Sequence, residues 1–361
     1  MSSSWGNQIK LSIFGESHGP AIGVVLDGLP AGEPLDLDVL LSFMDRRRPG
    51  QNRFSTPRKE TDAPHILSGF YQGRTTGTPL AVVIQNSDTH SADYAQMSSV
   101  ARPAHADYTG YLRYHGAQDP RGGGHFSGRL TAPLVAAGGI AKQILARRGV
   151  VVGAHIFSVG CQNDLPFDPV GLTAEELAAP GQKTFPVLDA KAGESMQQLI
   201  ESCRMAQDSV GGVVECGVIG FPAGVGSPIF DGLENRLASL IFGIPAVKGI
   251  EFGAGFEASR HFGSQMNDPF RLENGQIRTT SNHHGGILGG ISSGMPILLR
   301  AAFKPTPSIS RPQETVDFQK MEPTQLSIEG RHDPCVVPRA VPCVEAATAL
   351  ALLDAWMEKI E

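Results

Sequence analysis

SGRLTAPLVAAGGIAKQILAR (residues 127–147), followed at once by VVVGAHIFSV (150–159), decides how the rest of the chain is read. In the first stretch Leu130, Leu134, Ala137, Ile140 and Leu145 fall near one face at helical spacing, with Pro133 as a kink point. The run predicts a core helix, the longest of the chain. The second stretch is apolar and β-branched and predicts a strand. Another strand follows at 210–220 (VGGVVECGVIG), but a polar, Pro-containing stretch at 160–192, read as a surface excursion, and a helix at 193–207 lie between. Strands and helices therefore do not alternate as βαβ units, a doubly wound sheet is disfavoured, and the class is α+β.

Outward from there, 8–14 (QIKLSIF) and 21–27 (AIGVVLD) predict strands joined by the loop GESHGP. A helix is expected from Asp36 or Asp38 to Arg47, with Asp as its cap, Val39, Leu40 and Phe43 on its apolar face and arginines in its last turn. Residues 64–71 and 79–86 predict a hairpin, and a short helix is placed near His105. Helix 231–242, strand 246–252, a Gly-rich loop at 284–290, strand 296–303 and a helix from Val344 to Lys359 complete the pattern. The two strand–helix halves suggest an internal pseudo-duplication, without a sequence repeat to establish it.

With 41% hydrophobic and 18% charged residues the composition is that of a soluble globular protein, and no apolar run approaches the roughly 20 residues that span a bilayer. The start, MSSSWGNQIKLSIFGESHG, has none of the features of a secretory signal, which predicts a cytoplasmic protein. Cys161, Cys203, Cys216, Cys335 and Cys343 are odd in number, scattered and without a CxxC pair, so reduced, largely buried thiols are expected. A net charge of −6 argues against general nucleic-acid affinity and makes any anion site local. With 43 glycines and no collagen-type period, that site is expected on glycine-shaped loops.

Five segments carry residues suited to chemistry. Gly15-Glu16-Ser17-His18-Gly19 projects an imidazole from a strand end; the plain alternative is a tight turn, and the spacing is not that of a serine nucleophile. Asp45 to Arg53 holds four arginines within eight residues, a density suited to a small, multiply charged anion, or else a solvated helix end. Arg102-Pro103-Ala104-His105-Ala106-Asp107 places a histidine at a helix start, and Arg121-Gly122-Gly123-Gly124-His125-Phe126-Ser127-Gly128-Arg129 leads bare backbone N–H groups into the long helix, where a phosphate can sit. Ser281 to Gly294 is too glycine-rich for a strand interior and predicts close approach of the backbone to something flat or bulky; Lys304 to Ser310 adds a cation and hydroxyls one strand later. Adjacent His283 and His284 point opposite ways on an extended chain, which disfavours a shared metal. Gly330-Arg331-His332-Asp333-Pro334-Cys335 is a rigid turn that can present Asp333 to a ligand.

Taken in order, GESHG, DRRRPG, GRTTGTP, RPAHADYT, RGGGHFSGR, AVKGIEFG, SNHHGGILGGISSG, KPTPSIS and GRHDPCVVPRAVP resemble the full motif set of the chorismate synthases, over residues 15 to 342. The resemblance implies one domain over 1–361, a sandwich with helices between antiparallel sheets, and a homotetramer. It implies a lyase of the shikimate pathway that eliminates phosphate from 5-enolpyruvylshikimate-3-phosphate in an anti 1,4 sense to give chorismate, and that needs reduced FMN without net redox change. On the matching positions His18 would protonate the departing phosphate, His105 would protonate the reduced flavin or hold its charge, and Asp333 would assist proton removal. Arg47, Arg48 and Arg53 would cradle the substrate, with Arg47 and Arg53 also reaching the cofactor. FMN would be held by His125, Phe126, Ser127, Pro245, Ala246, Gly289, Lys304, Pro305, Thr306, Pro307, Ser308 and Arg331. One common family version has Arg-Ser-Ser where this chain has His125-Phe126-Ser127, and Asn-Ala where it has Pro245-Ala246, so His125 is expected to take the arginine's place at the phosphate. Whether NADPH reduces the flavin on this chain is left open; no dinucleotide fold is visible, which favours an external flavin reductase. No metal is expected. The rival readings are a metal-dependent hydrolase built from His18, His105, His332 and Asp333, and a nucleotide or RNA binder using the arginine run.

Overall fold

Thr131–Ala146 and Val337–Met357 are helices that lie against each other and bury side chains all round. A Cβ at Gly138 would fall 2.2 Å from the Ala346 Cβ, so the two backbones approach at a distance that only glycine permits. The computed structural model describes residues 3–50, 60–87, 99–328 and 333–358. In it the first helix touches strands Ala21–Asp27 and Leu80–Gln85 and reaches Val151–Val159, while the second touches Val151–Val159 and Gly212–Ile219. These strands belong to two different five-stranded sheets, so the helices lie between sheets in an α+β arrangement.

The first sheet runs in the order Ser4–Trp5, Lys10–Gly15, Ala21–Asp27, Leu80–Gln85, Pro64–Ser68, with every neighbouring pair antiparallel. Ile22, Val24 and Leu26 alternate inward along its central strand and are fully buried, as the period of two in an amphipathic strand requires. The second sheet, also antiparallel, runs Val247–Phe252, Ile297–Phe303, Gly212–Ile219, Val151–Val159, Gln162–Asn163.

Two carboxylates of the C-terminal helix tie this core together. Asp354 accepts the backbone N–H groups of Asn7, Gln8 and Ile9 at 3.1, 2.8 and 2.7 Å, which anchors the start of the first sheet. Glu345 is buried and paired with Arg46 and Lys142. An unpaired carboxylate there would be costly, and the two cations remove that cost.

Several elements differ from the sequence reading. The C-terminal helix starts at Val337 rather than Val344, running through Pro338 and Pro342; at 21 residues it is longer than the 16-residue helix 131–146. Pro338 is in the first turn, and the donor that Pro342 lacks would have reached back only to that turn, so neither ring stops the helix. Pro133 likewise sits in a first turn and kinks nothing. The Val337–Met357 helix is long and apolar enough to cross a membrane, yet it is almost wholly buried inside the protein. In helix Leu37–Asp45, capped by Asp36, the buried side chains are Leu40, Phe43 and Met44, whereas Val39 is exposed, and the arginines form the turn after the helix. Residues 160–192 are no bare excursion: Phe167, Leu172 and Leu177 pack with Leu298 on the outer face of the second sheet, and helix Ala174–Ala178 is closed by a Thr173–Glu176 capping box. Hairpins Phe270–Glu273 with Gln276–Thr279, and Gln313–Asp317 with Glu322–Leu326, were not read from the sequence.

Candidate active site

A cavity of about 680 Å³ opens where the loop after strand Lys10–Gly15, the 102–107 loop, the triple-glycine segment, the 244–248 segment and the loop after strand Ile297–Phe303 meet. That volume suits a small organic ligand. Its wall holds the cations Arg47, Arg102, Arg129, Lys248, Lys304 and Arg339 against the carboxylates Glu60 and Asp333. In a chain of net charge −6 this is a local excess of positive charge, the arrangement that concentrates a polyanionic ligand.

His18 and His105 both line the cavity, and the triple glycine explains how they reach it. Gly122, Gly123 and Gly124 have φ of 59°, 83° and 52°, a left-handed run that glycine adopts readily. A Cβ on Gly122 would lie 2.3 Å from His18 Cε1 and Nδ1, and one on Gly123 would lie 3.1 Å from His105 Cε1 and Nε2. These glycines therefore form the floor on which both imidazoles rest. Gly15, at φ 93°, ends the strand; Asn86 Nδ2 then donates to the carbonyls of Glu16 and Gly19 at 3.0 and 2.8 Å, and Ser17 N–H donates to Gly124 O at 3.1 Å. The GESHG loop is thus fixed from both sides.

Beneath the cavity lies a buried ion cluster. Arg47 donates from Nε to Thr131 Oγ1 at 3.0 Å, from one terminal nitrogen to Asp62 at 2.6 Å and from the other to Gly128 O at 3.2 Å. Burial pulls its guanidinium down to about 10, with Asp62 opposing the shift and Arg339 and Arg129 adding to it. Burial would raise the Asp62 carboxyl, but Arg47 and Arg129 outweigh it and hold it below the ordinary range. Arg339 donates to Asp333 Oδ2 at 2.5 Å and to the Arg47 carbonyl at 2.9 Å, so the turn carrying Asp333 is braced by the C-terminal helix.

The lining also includes apolar surface from Phe126, Ile244, Pro245 and Ala246, together with Lys304, Thr306 and Ser308. Among the described residues, Thr306 Oγ1 is buried with no hydrogen-bond partner and Lys304 has no carboxylate partner. Burial, then Lys248, lowers the Lys304 ammonium. An unused hydroxyl and an unneutralised lysine beside an apolar wall fit a flat ligand carrying a phosphate, and FMN has that chemistry.

A profile of the family described as chorismate synthase matches residues 9–357. The chain belongs to the chorismate synthase family. It is 47% identical over 352 residues to the chorismate synthase of Methanosarcina barkeri, covering 97% of this chain and 94% of that protein. It is also 47% identical over 349 residues to that of Thermococcus kodakarensis, covering 97% and 96%. A crystal structure of a chorismate synthase superposes with a TM-score of 0.79 at 28% identity, over 99% of this chain and 94% of that one. The chain is accordingly a lyase of the shikimate pathway and of aromatic biosynthesis. The hydrolase reading finds no support in these relatives, and among the described residues no three metal-ligating side chains converge.

Of the residues that the chorismate synthase motifs single out, His18, His105, Asp333, Arg47, Phe126, Ser127, Pro245, Ala246, Lys304, Thr306, Pro307 and Ser308 come together around the cavity. Others do not. His125 is turned away: Nδ1 lies 2.8 Å from Gly15 O and Nε2 2.8 Å from Ser3 Oγ, so its ring ties two loops together instead of facing a phosphate. Arg48 pairs with Asp45 at 3.2 Å outside the cavity. Pro305 packs against Gly211, where a Cβ would lie 3.1 Å from its ring. Gly289 is in the turn between Ile287–Leu288 and Ile291–Ser292, away from the cavity wall. The neighbouring glycines approach their own fold rather than a ligand: Cβ atoms at Gly285 and Gly286 would lie 2.3 Å from Gly253 N and 2.5 Å from Pro296 O. Arg53, Arg331 and His332 lie outside the described residues.

Sequence reading passed over Glu60, Asp62, Arg102, Asp107, Lys248 and Arg339 as site residues. Asp107 and Arg102 stood within the RPAHADYT motif, flanking a histidine at helix-cap spacing, and that was a usable signal. Asp62 had none, since its partners Arg47 and Arg129 are distant in sequence.

Proposed function

We propose that this chain converts 5-enolpyruvylshikimate-3-phosphate to chorismate and phosphate by anti 1,4-elimination, with reduced FMN held in the same cavity. What carries the reading is the pair of imidazoles resting on Gly122 and Gly123 at the wall of a cavity whose charged groups are mostly cationic. Lys304, Thr306 and Ser308 would hold the cofactor phosphate, and Phe126, Ser127, Pro245 and Ala246 would border the rest of it. When bound, reduced FMN supplies electron density transiently as phosphate leaves and a ring nitrogen that takes the substrate's ring proton.

The chain's own residues do the remaining work. The substrate carries two carboxylates and a phosphate, and the cationic wall compensates them, while the enclosing loops keep water from the reacting bonds. His18 donates a proton to the departing phosphate oxygen, which lowers the charge on the leaving group. His105 carries a proton during the cycle, and Asp333, fixed by Arg339, receives a proton as the cycle closes. Arg47 acts chiefly by shaping the floor, because each of its three nitrogens already donates to protein atoms.

We read the chain as a single domain over 1–361, because helix Thr131–Ala146 contacts both sheets and packs against helix Val337–Met357, which contacts the second. Both five-stranded sheets are antiparallel throughout, which gives no dinucleotide-type βαβ unit among the described residues and favours an external flavin reductase over NADPH chemistry on this chain. A cytoplasmic homotetramer completes the proposal.

The experiment is a flavin titration followed by a turnover assay. FMN fluorescence should be quenched on binding and the affinity lost in Lys304→Ala, and phosphate release should require reduced flavin. Phosphate release with zinc or manganese and no flavin would overturn the reading.

A further inference from the structure

The 102–107 loop wraps around one carboxylate. Asp107 Oδ2 accepts from the Arg102 backbone N–H at 3.0 Å and from Arg102 Nε at 2.7 Å; Oδ1 accepts from the other arm of the guanidinium at 2.6 Å and lies 2.7 Å from His105 Nδ1. Closing the loop puts Ala104 at φ 57°, a conformation alanine rarely adopts. The opposite edge of the His105 ring lies over Gly123, and Nε2 makes no hydrogen bond among the described residues.

We propose that Asp107 is a positioning residue that holds the proton of His105 on Nδ1, so that Nε2 is the nitrogen that exchanges a proton during turnover. This rests on the reading of His105 as a proton carrier and specifies how it is set up. Arg102 also lies 3.0 Å from Nδ1, and the two neighbours make opposite demands on the tautomer. If Nδ1 were bare, its lone pair would face a carboxylate oxygen at 2.7 Å, a repulsive contact. With the proton on Nδ1, imidazole and guanidinium are two donors sharing Oδ1, an ordinary arrangement for an ionised carboxylate.

The charged groups facing the ring are Arg102 and Asp107 from its own loop and Lys304 from the loop after strand Ile297–Phe303. Burial lowers the imidazole's proton affinity, the Asp107 hydrogen bond opposes this, and Arg102 and Lys304 lower it further. The resting ring is therefore neutral near pH 7 and accepts at Nε2. A proton arriving there makes an imidazolium whose charge Asp107 compensates, and the same proton leaves from the same nitrogen. In this form His105 takes up a proton before it can give one, which narrows the role its motif implies.

Long-range ¹H–¹⁵N NMR on the full-length chain tests this, with the His105 signals assigned by their loss in His105→Gln. The expected result in the wild type is a protonated Nδ1 and an unprotonated Nε2. In Asp107→Asn the tautomers should mix and kcat should fall by about 10²–10⁴-fold with little change in KM, and Asp107→Glu should recover part of the loss. A wild-type ring protonated on Nε2 overturns the proposal, even if Asp107→Asn does not fold. So does a folded Asp107→Asn with unchanged tautomer and turnover. Full turnover in His105→Gln would instead refute the proton-carrier reading on which it rests.

Discussion

Removal of either cavity imidazole bears directly on the chemistry. His18→Ala and His105→Ala should each lower kcat by about 10²–10⁴-fold, the range for a group in proton transfer, and turnover within twofold of wild type would refute that residue's role. The glycine floor makes a less obvious prediction. In Gly122→Ala the new Cβ meets the His18 ring at 2.3 Å from a backbone at φ 59°, so the imidazole must move. Steady-state kinetics should show kcat reduced by roughly 10-fold or more, since misplacement of a proton donor forfeits much of its contribution. An unchanged kcat would mean that the floor does not position His18. At this scale the motifs revealed which residues gather, but not what each touches. RGGGHFSGR resembles a phosphate cradle in sequence, yet its first two glycines lie under the two imidazoles and its histidine ties Gly15 to Ser3. Except for Gly123 and His105, those contacts join residues over a hundred positions apart, beyond the reach of any local pattern.

Helices and strands hold the site through buried charge. His155 is buried on strand Val151–Val159, with Nδ1 3.1 Å from Asp164 and Nε2 3.0 Å from Glu215. Asp164 also accepts from the backbone of Leu188 and Asp189, and Glu215 from Phe167 and Arg300, so the cluster fastens the 164–189 layer to the sheet. Burial lowers the imidazole's proton affinity, but the hydrogen bonds from Asp164 and Glu215 outweigh it and raise the value above the ordinary one. A raised folded value means that the stabilisation is present in full below about pH 6.5 and is lost as pH rises through that folded value. The Tm gap between wild type and His155→Gln should therefore narrow from pH 6.5 upward; a gap that widens contradicts the cluster. In the C-terminal helix, Glu345→Ala leaves Arg46 and Lys142 without their shared anion and should cost about 2–4 kcal/mol in urea unfolding, reduced from the fully buried case because both cations are partly exposed. Strand Ala21–Asp27 was legible from its period, since Ile22, Val24 and Leu26 bury one regular face, and helix Thr131–Ala146 from its length and apolar content, since it is buried all round. Sequence reading failed where the pattern was broken for a tertiary reason: Pro342 hid seven residues of the C-terminal helix, and the 160–192 layer is anchored by Phe167, Leu172 and Leu177, whose spacing of five fits neither the strand nor the helix period.

At the scale of the whole molecule, Phe256, Phe262, Phe270, Leu272 and Ile277 are each at least two-thirds exposed within 25 residues of sequence. So much exposed apolar area is expected to be covered in the proposed tetramer. Light scattering on Leu272→Glu/Ile277→Glu should show a mass below four chains, and an unchanged tetramer would place the interface elsewhere. The two sheets and the paired central helices bring segments from residue 17 to residue 343 to one cavity, which is why no single stretch of the chain carries the function. The reaction proposed for this cavity is a flavin-dependent elimination. Its most direct test is the appearance of chorismate absorbance in an anaerobic cuvette containing the purified chain, 5-enolpyruvylshikimate-3-phosphate and FMN. No change is expected with oxidised flavin and a rise as soon as the flavin is reduced; product formed without reduced flavin, or none formed with it, would overturn the flavin-dependent elimination.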